Sequence, residues 1–207
     1  MVKSTPTRRS TLVQERSRAS RAALVDAAEV LWADTDIDEV KVGDICDQAG
    51  VSKGLFYFYF QTKEDLAVEM LLADADAAAG AADAALAGDT DAASALDGAV
   101  AAFLRKVQKR PRQVLTAAAL GWLGSGERHD PLADGHTPLS ETFTLIAAHG
   151  QERGELDSSV AAVEVGRALE WAVLGALLEW ASAASRQPSL AKRVASRTSL
   201  VIHGATS

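Results

Sequence analysis

Apolar side chains recur at intervals of three and four residues along most of the chain, which is the spacing of amphipathic helices. The first run of this kind predicts a helix over about residues 18–34, with an inner side made of Ala23, Leu24, Ala27, Ala28, Leu31 and Trp32. Two short helices are predicted at 41–48 and 53–59, and a long helix begins after Thr62. Further helices are predicted over about residues 90–109, 111–123, 137–153, 158–185 and 188–203. The pattern therefore predicts an all-α protein of about nine helices.

The eighth predicted helix, 158–185, carries apolar side chains around nearly its whole circumference, Leu169, Trp171 and Val173 among them. A helix that is apolar on all sides is buried on more than one side. Together with the helix at 188–203, it predicts a subunit interface. We therefore expect a homodimer through helices 8 and 9.

Residues 41–66 have the pattern of a helix-turn-helix, in which the second helix lies in the major groove of DNA. Ala49-Gly50-Val51 supplies the tight turn, and Ser52 is a good N-cap for the following helix. A single short helix makes only a few base contacts, so a dimer that reads a palindromic site is expected.

The second helix of this motif divides into two faces. Lys53 and Tyr57 are four residues apart and share one face, where Gly54 lets the backbone approach DNA closely. Phe56 and Phe60 share another face and are predicted to pack inside the domain. Lys53 and Tyr57 are thus the candidates for contacts with base edges.

Charge is distributed unevenly along the chain, whose net charge is −7. Residues 1–21 carry six basic residues and one acidic residue, which gives +5 and leaves −12 for the remainder. Residues 1–17 are predicted to form a disordered basic arm. Its arginines, and one just beyond it, are candidates for contact with the DNA backbone or minor groove, or they belong to a merely solvated tail: Arg8, Arg9, Arg16 and Arg18.

Other functional classes find little support in the sequence. The only cysteine is Cys46, which excludes an intramolecular disulfide and is compatible with a cytoplasmic location. No uncharged apolar run is long enough to cross a membrane. The four histidines are scattered, and no phosphate loop or nucleophile motif is present. An enzyme, a cofactor and a metal site are therefore not expected.

Residues 24–66 resemble the DNA-binding domain of the TetR family of bacterial transcriptional repressors. The resemblance rests on three segments: Ala27-Ala28 to Leu31-Trp32-Ala33, Val42-x-Asp44-Ile45 to Ala49-Gly50-Val51-Ser52-Lys53-Gly54, and Phe56-Tyr57-x-Tyr59-Phe60-x-x-Lys63-Glu64-x-Leu66. The resemblance implies a DNA-binding set of Lys41, Ser52, Lys53, Gly54, Tyr57, Tyr59 and Lys63, with Tyr59 and Lys63 on phosphates. Gly43 departs from the family, which has a longer polar residue there.

The resemblance also implies the domain organisation. A helix-turn-helix domain is expected over 18–66, and a helical domain for ligand binding and dimerisation over 67–207. The effector pocket is predicted among helices 4 to 8, with bulky wall candidates that ordinary core packing would also explain: Met70, Phe103, Trp122, Phe143 and Trp171. Asp74 lies on an apolar arc of helix 4, so it is either a counter-charge for a cationic ligand or a solvated residue.

The sequence thus predicts a ligand-responsive regulator of transcription. The expected form is a repressor that binds a palindromic operator as a dimer and is released by a small, largely apolar molecule. The alternative is a DNA-binding regulator without a small-molecule inducer, controlled by a protein partner or purely architectural. A closed apolar cavity would favour the first possibility and a solid core the second.

Overall fold

The computed structural model describes residues 8–124, 137–184 and 188–205, with side chains from residue 16 to 122 and throughout the two later ranges. These residues form nine α-helices, which confirms the predicted fold class. Their bounds are α1 Arg8–Asp34, α2 Val42–Ala49, α3 Lys53–Tyr59, α4 Lys63–Ala87, α5 Ala92–Val107, α6 Arg112–Gly124, α7 Pro138–Glu152, α8 Ala162–Ser182 and α9 Leu190–Gly204.

The chain divides into two compact units, the first ending at Ala67 and the second beginning at Val68. In the first unit, α1 packs against α2 and α3, and α2 against α3. Its core contains fully buried side chains from all three of these helices and from the start of α4: Leu24, Trp32, Ile45, Phe56 and Leu66. This core fixes the orientation of α3, the helix that the sequence predicts to read DNA.

Helix α1 begins at Arg8, so the prediction that residues 8–17 form a disordered arm is wrong for the backbone. This segment contains neither glycine nor proline, and nothing in its sequence interrupts a helix that continues from the apolar run. A tertiary contact also holds it, because the Ser17 hydroxyl lies 2.8 Å from the Tyr59 hydroxyl. Residues 1–7 of the predicted arm lie outside the described residues.

In the second unit, α8 is the central helix and packs against α6, α7 and α9. Leu169, Val173 and Leu177 of α8 are completely buried. The apolar circumference of α8 is therefore largely explained within one subunit. The approach of α7 is close, since a Cβ atom at Gly166 would lie 2.7 Å from the backbone nitrogen of Thr144.

Local capping residues determine where helices of the second unit begin and end. Helix α5 begins after Asp91, whose carboxylate accepts a hydrogen bond from the Ser94 N–H at 2.9 Å. Helix α7 begins after Thr137, with a proline in its first turn. Gly154 follows α7 with a φ of 71°, which favours glycine. Within the described residues, no helix has the length and hydropathy needed to cross a membrane.

Candidate nucleic-acid interface

The turn between α2 and α3 depends on Gly50. Its φ of 67° lies in the left-handed region, where a side chain would be strained. The neighbouring N–H groups of Gly50 and Val51 donate to the carbonyls of Asp47 and Cys46, at 3.3 Å and 3.0 Å. This turn ends α2 and redirects the chain, so that α3 begins after only three residues.

Each of the two helices has a capped start. The Ser52 hydroxyl accepts a hydrogen bond from the Leu55 N–H at 3.2 Å, which confirms the predicted N-cap of α3. At the start of α2, the Asp44 carboxylate accepts from the Lys41 N–H at 2.9 Å. Lys41 and Ser52 are both exposed, so their side chains remain on the outer surface of the motif.

Helix α3 has the two faces that its sequence predicts. Lys53, Gly54 and Tyr57 are exposed, whereas Phe56 is fully buried and Phe60 nearly so. Arg21 of α1 covers the buried end of α3, with its guanidinium carbon 5.2 Å from the ring centre of Phe60. The exposed face therefore carries one cation, one open stretch of backbone and one phenol.

The side chain of Lys53 lies against Gly43 of α2. A Cβ atom built at Gly43 would lie 3.2 Å from Cε and 3.3 Å from Nζ of Lys53, which is tighter than an ordinary van der Waals contact. The glycine that departs from the TetR pattern therefore leaves the space in which Lys53 lies. The sequence marked Gly43 as unusual but gave no sign of this pairing.

Phe58 is a surface residue that sequence reasoning did not assign. Its side chain is 75% exposed, more than Tyr57 at 59%, and it makes an edge contact with Tyr59. The signal was present in the sequence, because an apolar ring between two tyrosines of a recognition helix has no inward position left to occupy. A ring without hydrogen-bonding groups offers DNA only an apolar contact, such as one with a thymine methyl.

The two predicted phosphate contacts are partly engaged inside the domain. The ammonium of Lys63 donates to the carbonyls of Ile37 and Val40, the latter at 3.1 Å. Lys63 therefore ties the loop before α2 to the start of α4, and at most one of its three N–H groups is left for a phosphate. Tyr59 is half-buried, with its hydroxyl beside that of Ser17.

Most of the predicted effector-wall residues are part of the packed core. Met70, Phe103 and Phe143 are at most 1% exposed, and Trp122 is 9% exposed. Trp171 differs, because it is 51% exposed on the outer side of α8, while Leu169 and Val173 face inward on either side of it. The prediction that Trp171 lines an interior pocket of the subunit is therefore not supported.

Asp74 has a partner within the chain. The Arg110 side chain donates to both carboxylate oxygens, from Nε at 2.6 Å and from a terminal nitrogen at 3.0 Å, and the same nitrogen lies 3.4 Å from the Met70 carbonyl. Both side chains of this ion pair are largely buried. The guanidinium satisfies the acid, so neither a cationic ligand nor solvation is needed to explain its position.

A second buried acid, Glu170, was not recognised from the sequence. It lies on α8 and accepts a hydrogen bond from the hydroxyl of Thr137, the N-cap of α7. Burial raises the pKa of Glu170, while the Thr137 hydroxyl and the charge of Arg167 oppose that shift. Among the described residues, no group of histidines, cysteines and acids could hold a metal ion.

Sequence comparison agrees with the helix-turn-helix geometry. Residues 24–70 match the sequence profile of a family described as "Bacterial regulatory proteins, tetR family". This range runs from the middle of α1 to the first part of α4. No curated protein sequence matches the chain.

Several solved structures share the fold over almost the whole chain. One is Thermus thermophilus FadR, described as a TetR-family transcriptional repressor in complex with lauroyl-CoA, with 20% identity, a TM-score of 0.77 and coverage of 89% of this chain and 94% of that one. Another is a TetR transcriptional regulator from Rhodococcus sp. RHA1, with 18% identity, a TM-score of 0.65 and coverage of 90% and 97%. A third is RolR in complex with resorcinol, with 19% identity, a TM-score of 0.56 and coverage of 92% and 94%.

Proposed function

By its N-terminal domain and its fold, the chain belongs to the TetR family of bacterial regulatory proteins, and from this premise we propose that it is a ligand-responsive repressor. It binds a palindromic operator as a homodimer and leaves it when a small molecule binds. The observation that carries the DNA-binding part is the exposed face of α3, where Lys53, Gly54 and Tyr57 lie together above the buried Phe56.

The side chains on this face have separate tasks. Lys53 donates to the acceptors of a guanine edge, and Gly54 allows the start of α3 to approach the groove. Tyr57 contacts a base edge or a phosphate. This face is flanked by Ser52, Lys41 and Tyr59, which position it on the DNA backbone. Since Lys63 already donates to two carbonyls, its contribution to phosphate binding is secondary.

Dimerisation uses the outer sides of α8 and α9. Trp171 and Leu200 are 51% and 73% exposed in the single subunit, which is unfavourable for apolar side chains of this size. Beside Trp171, the small residue Ala172 lets a second helix approach closely, whereas Gly175 is covered within the subunit by Arg197 of α9, whose guanidinium would lie 3.2 Å from a Cβ atom there. A two-fold axis through this surface would pair each patch with its own copy.

Two observations support a small-molecule effector. FadR and RolR share the fold and are described in complexes with lauroyl-CoA and resorcinol. A ligand shifts the DNA-binding equilibrium only if it prefers one conformation of the protein, and this coupling is reciprocal. A molecule that releases the operator should therefore bind more weakly when operator is present.

The test is selection of operator sequences from random duplexes, followed by fluorescence anisotropy with the selected site. Lys53→Ala and Tyr57→Ala should each weaken operator binding by about 1–3 kcal/mol and relax its sequence preference. Lys192→Ala, which removes an exposed charge of α9, is the matched control and should leave the preference unchanged. Equal binding to selected and random duplexes would rule out the proposed function.

A further inference from the structure

One short segment concentrates positive charge in an otherwise acidic chain. Residues 105–112, RKVQKRPR, contain five arginines and lysines, although the net charge of the chain is −7. They span the last turn of α5, the connection to α6 and the first residue of α6. We call this segment the basic turn.

Two of the five cations are engaged within the fold. Arg110 holds the buried carboxylate of Asp74. Arg112 lies over the ring of Trp180, with its guanidinium carbon 4.6 Å from the ring centre, and donates to the Ala183 carbonyl at 2.9 Å. These contacts explain why arginine occupies both positions.

The other three cations line an open groove of about 650 Å³ between α4 and the end of α5. Its cationic wall is made of Arg105, Lys106 and Lys109, all of them exposed. Within the described parts of the chain, none of these three makes an ion pair. The dipole of α5 favours bases in its last turn, but it does not account for Lys109 or for the groove.

The rest of the groove is lined by small and mostly apolar side chains. Ala77 and Ala81 of α4 and Ala102 of α5 provide methyl groups, and Gln108 adds one amide. Alanines keep the groove open and cannot form side-chain hydrogen bonds. The groove thus presents an aliphatic surface next to three positive charges that form no ion pair with a described residue.

We propose that this groove binds an anionic amphiphile that carries phosphate groups, and that this molecule is the effector. The phosphates lie against Arg105, Lys106 and Lys109, and the chain that adjoins the phosphates lies along Ala77 and Ala81. Phosphate suits the site because its two charges and three oxygens can engage several cations at once. The role of this molecule as the effector rests on the proposed function. Its negative charge is opposite to that of the cationic ligand that the sequence suggested for Asp74.

The first experiment is calorimetric titration of the intact dimer with four probes: lauroyl-CoA, laurate, inorganic pyrophosphate and dodecyltrimethylammonium. Lauroyl-CoA should bind most tightly, pyrophosphate and laurate more weakly, and the cation not measurably. Raising the salt concentration should weaken lauroyl-CoA binding, because the charges are exposed. Equal binding of the cationic and phosphorylated amphiphiles would overturn the proposal.

Variants separate the two parts of the site. Lys106→Gln with Lys109→Gln should weaken lauroyl-CoA binding about 10-fold at low salt. Arg153→Gln with Lys192→Gln changes the net charge equally on other surfaces and should have little effect. Ala81→Phe fills the apolar part, so it should weaken lauroyl-CoA more than pyrophosphate. Unchanged lauroyl-CoA affinity in the Lys106/Lys109 variant would refute the site.

Measurements of operator binding distinguish failure of the ligand site from failure of the proposed function. If the Lys106/Lys109 variant loses operator affinity without ligand and keeps lauroyl-CoA affinity, the basic turn contacts DNA phosphate and the proposal is wrong. If wild-type protein binds lauroyl-CoA through this groove yet shows no sequence-selective DNA binding, the proposed function fails while the ligand site stands. Operator release by lauroyl-CoA that depends on Lys106 and Lys109 supports both.

Discussion

The end of the Lys53 side chain, Cε and Nζ, lies against Gly43, in a space that a side chain at position 43 would enter. This contact links α2 to the reading face of α3. Gly43 weakens α2 as a helix, since glycine in a helix is about 0.5–1 kcal/mol less favourable than alanine. Gly43 thus lowers the stability of α2 and at the same time leaves the space that Lys53 occupies.

Replacing Gly43 should therefore separate stability from DNA binding. Gly43→Gln is expected to stabilise the N-terminal domain against urea, because it removes a helix glycine, and to weaken operator binding by displacing Lys53. The loss should not exceed that of Lys53→Ala. In a Lys53→Ala background, Gly43→Gln should have almost no further effect on operator affinity, and full additivity of the two losses would contradict the coupling.

The buried pair of Asp74 and Arg110 makes a strong prediction about stability. Arg110→Ala leaves a buried carboxylate without its partner and should cost about 3–5 kcal/mol in the free energy of unfolding, measured in urea. Asp74→Leu with Arg110→Met removes both charges and should recover most of that loss. Arg153→Ala, at an exposed pair with Asp89, is the control and should change stability little. Equal losses at the two sites would disprove the distinction.

Glu170 should make the stability of the second unit, which begins at Val68, depend on pH. Its pKa is raised in the folded chain, so the folded state holds a proton more tightly than the unfolded state does. Stability should be greatest below the unfolded pKa of about 4.3 and should fall as pH rises through the folded pKa.

Glu170→Gln keeps an acceptor for Thr137 and removes the titrating group. At neutral pH the variant should be more stable than wild type, and the difference should shrink on acidification. Urea unfolding at a series of pH values measures this. A constant difference from pH 4 to 8 would show that Glu170 does not titrate in this range.

Trp171 should act as an anchor of the dimer. Trp171→Glu places a charge in the middle of the proposed interface and should raise the dimer dissociation constant about 100-fold or more, measured by sedimentation. Leu145→Glu makes the same kind of change at a similarly exposed apolar position on α7. A similar dissociation constant for both variants would refute the interface.

The sequence predicted the helix-turn-helix in detail because the rules that determine its geometry are local. Gly50, Ser52 and the spacing of Phe56 and Phe60 determine the turn, the cap and the buried face without reference to distant residues. The number of helices followed in the same way from the spacing of apolar residues. These features need only the neighbours within one or two turns.

Other features of the structure depend on residues that are distant in sequence. The sequence left Asp74 open between a cationic ligand and solvent, because its partner Arg110 lies 36 positions away. Trp171 was assigned to a pocket because an apolar helix does not reveal which side its own subunit covers. Lys63 remains a predicted phosphate contact, but the sequence gave no sign of its bonds to the carbonyls of Ile37 and Val40, which lie more than 20 residues earlier.

In the proposed complex, two copies of α3 read one palindromic site through Lys53 and Tyr57. Hydroxyl-radical footprinting on the selected operator, with wild type and Lys53→Ala side by side, tests it most directly. We expect two protected half-sites one helical turn apart, or a whole number of turns, related by two-fold symmetry, and the loss of both in the variant. A single protected half-site, or protection that Lys53→Ala leaves intact, would contradict it.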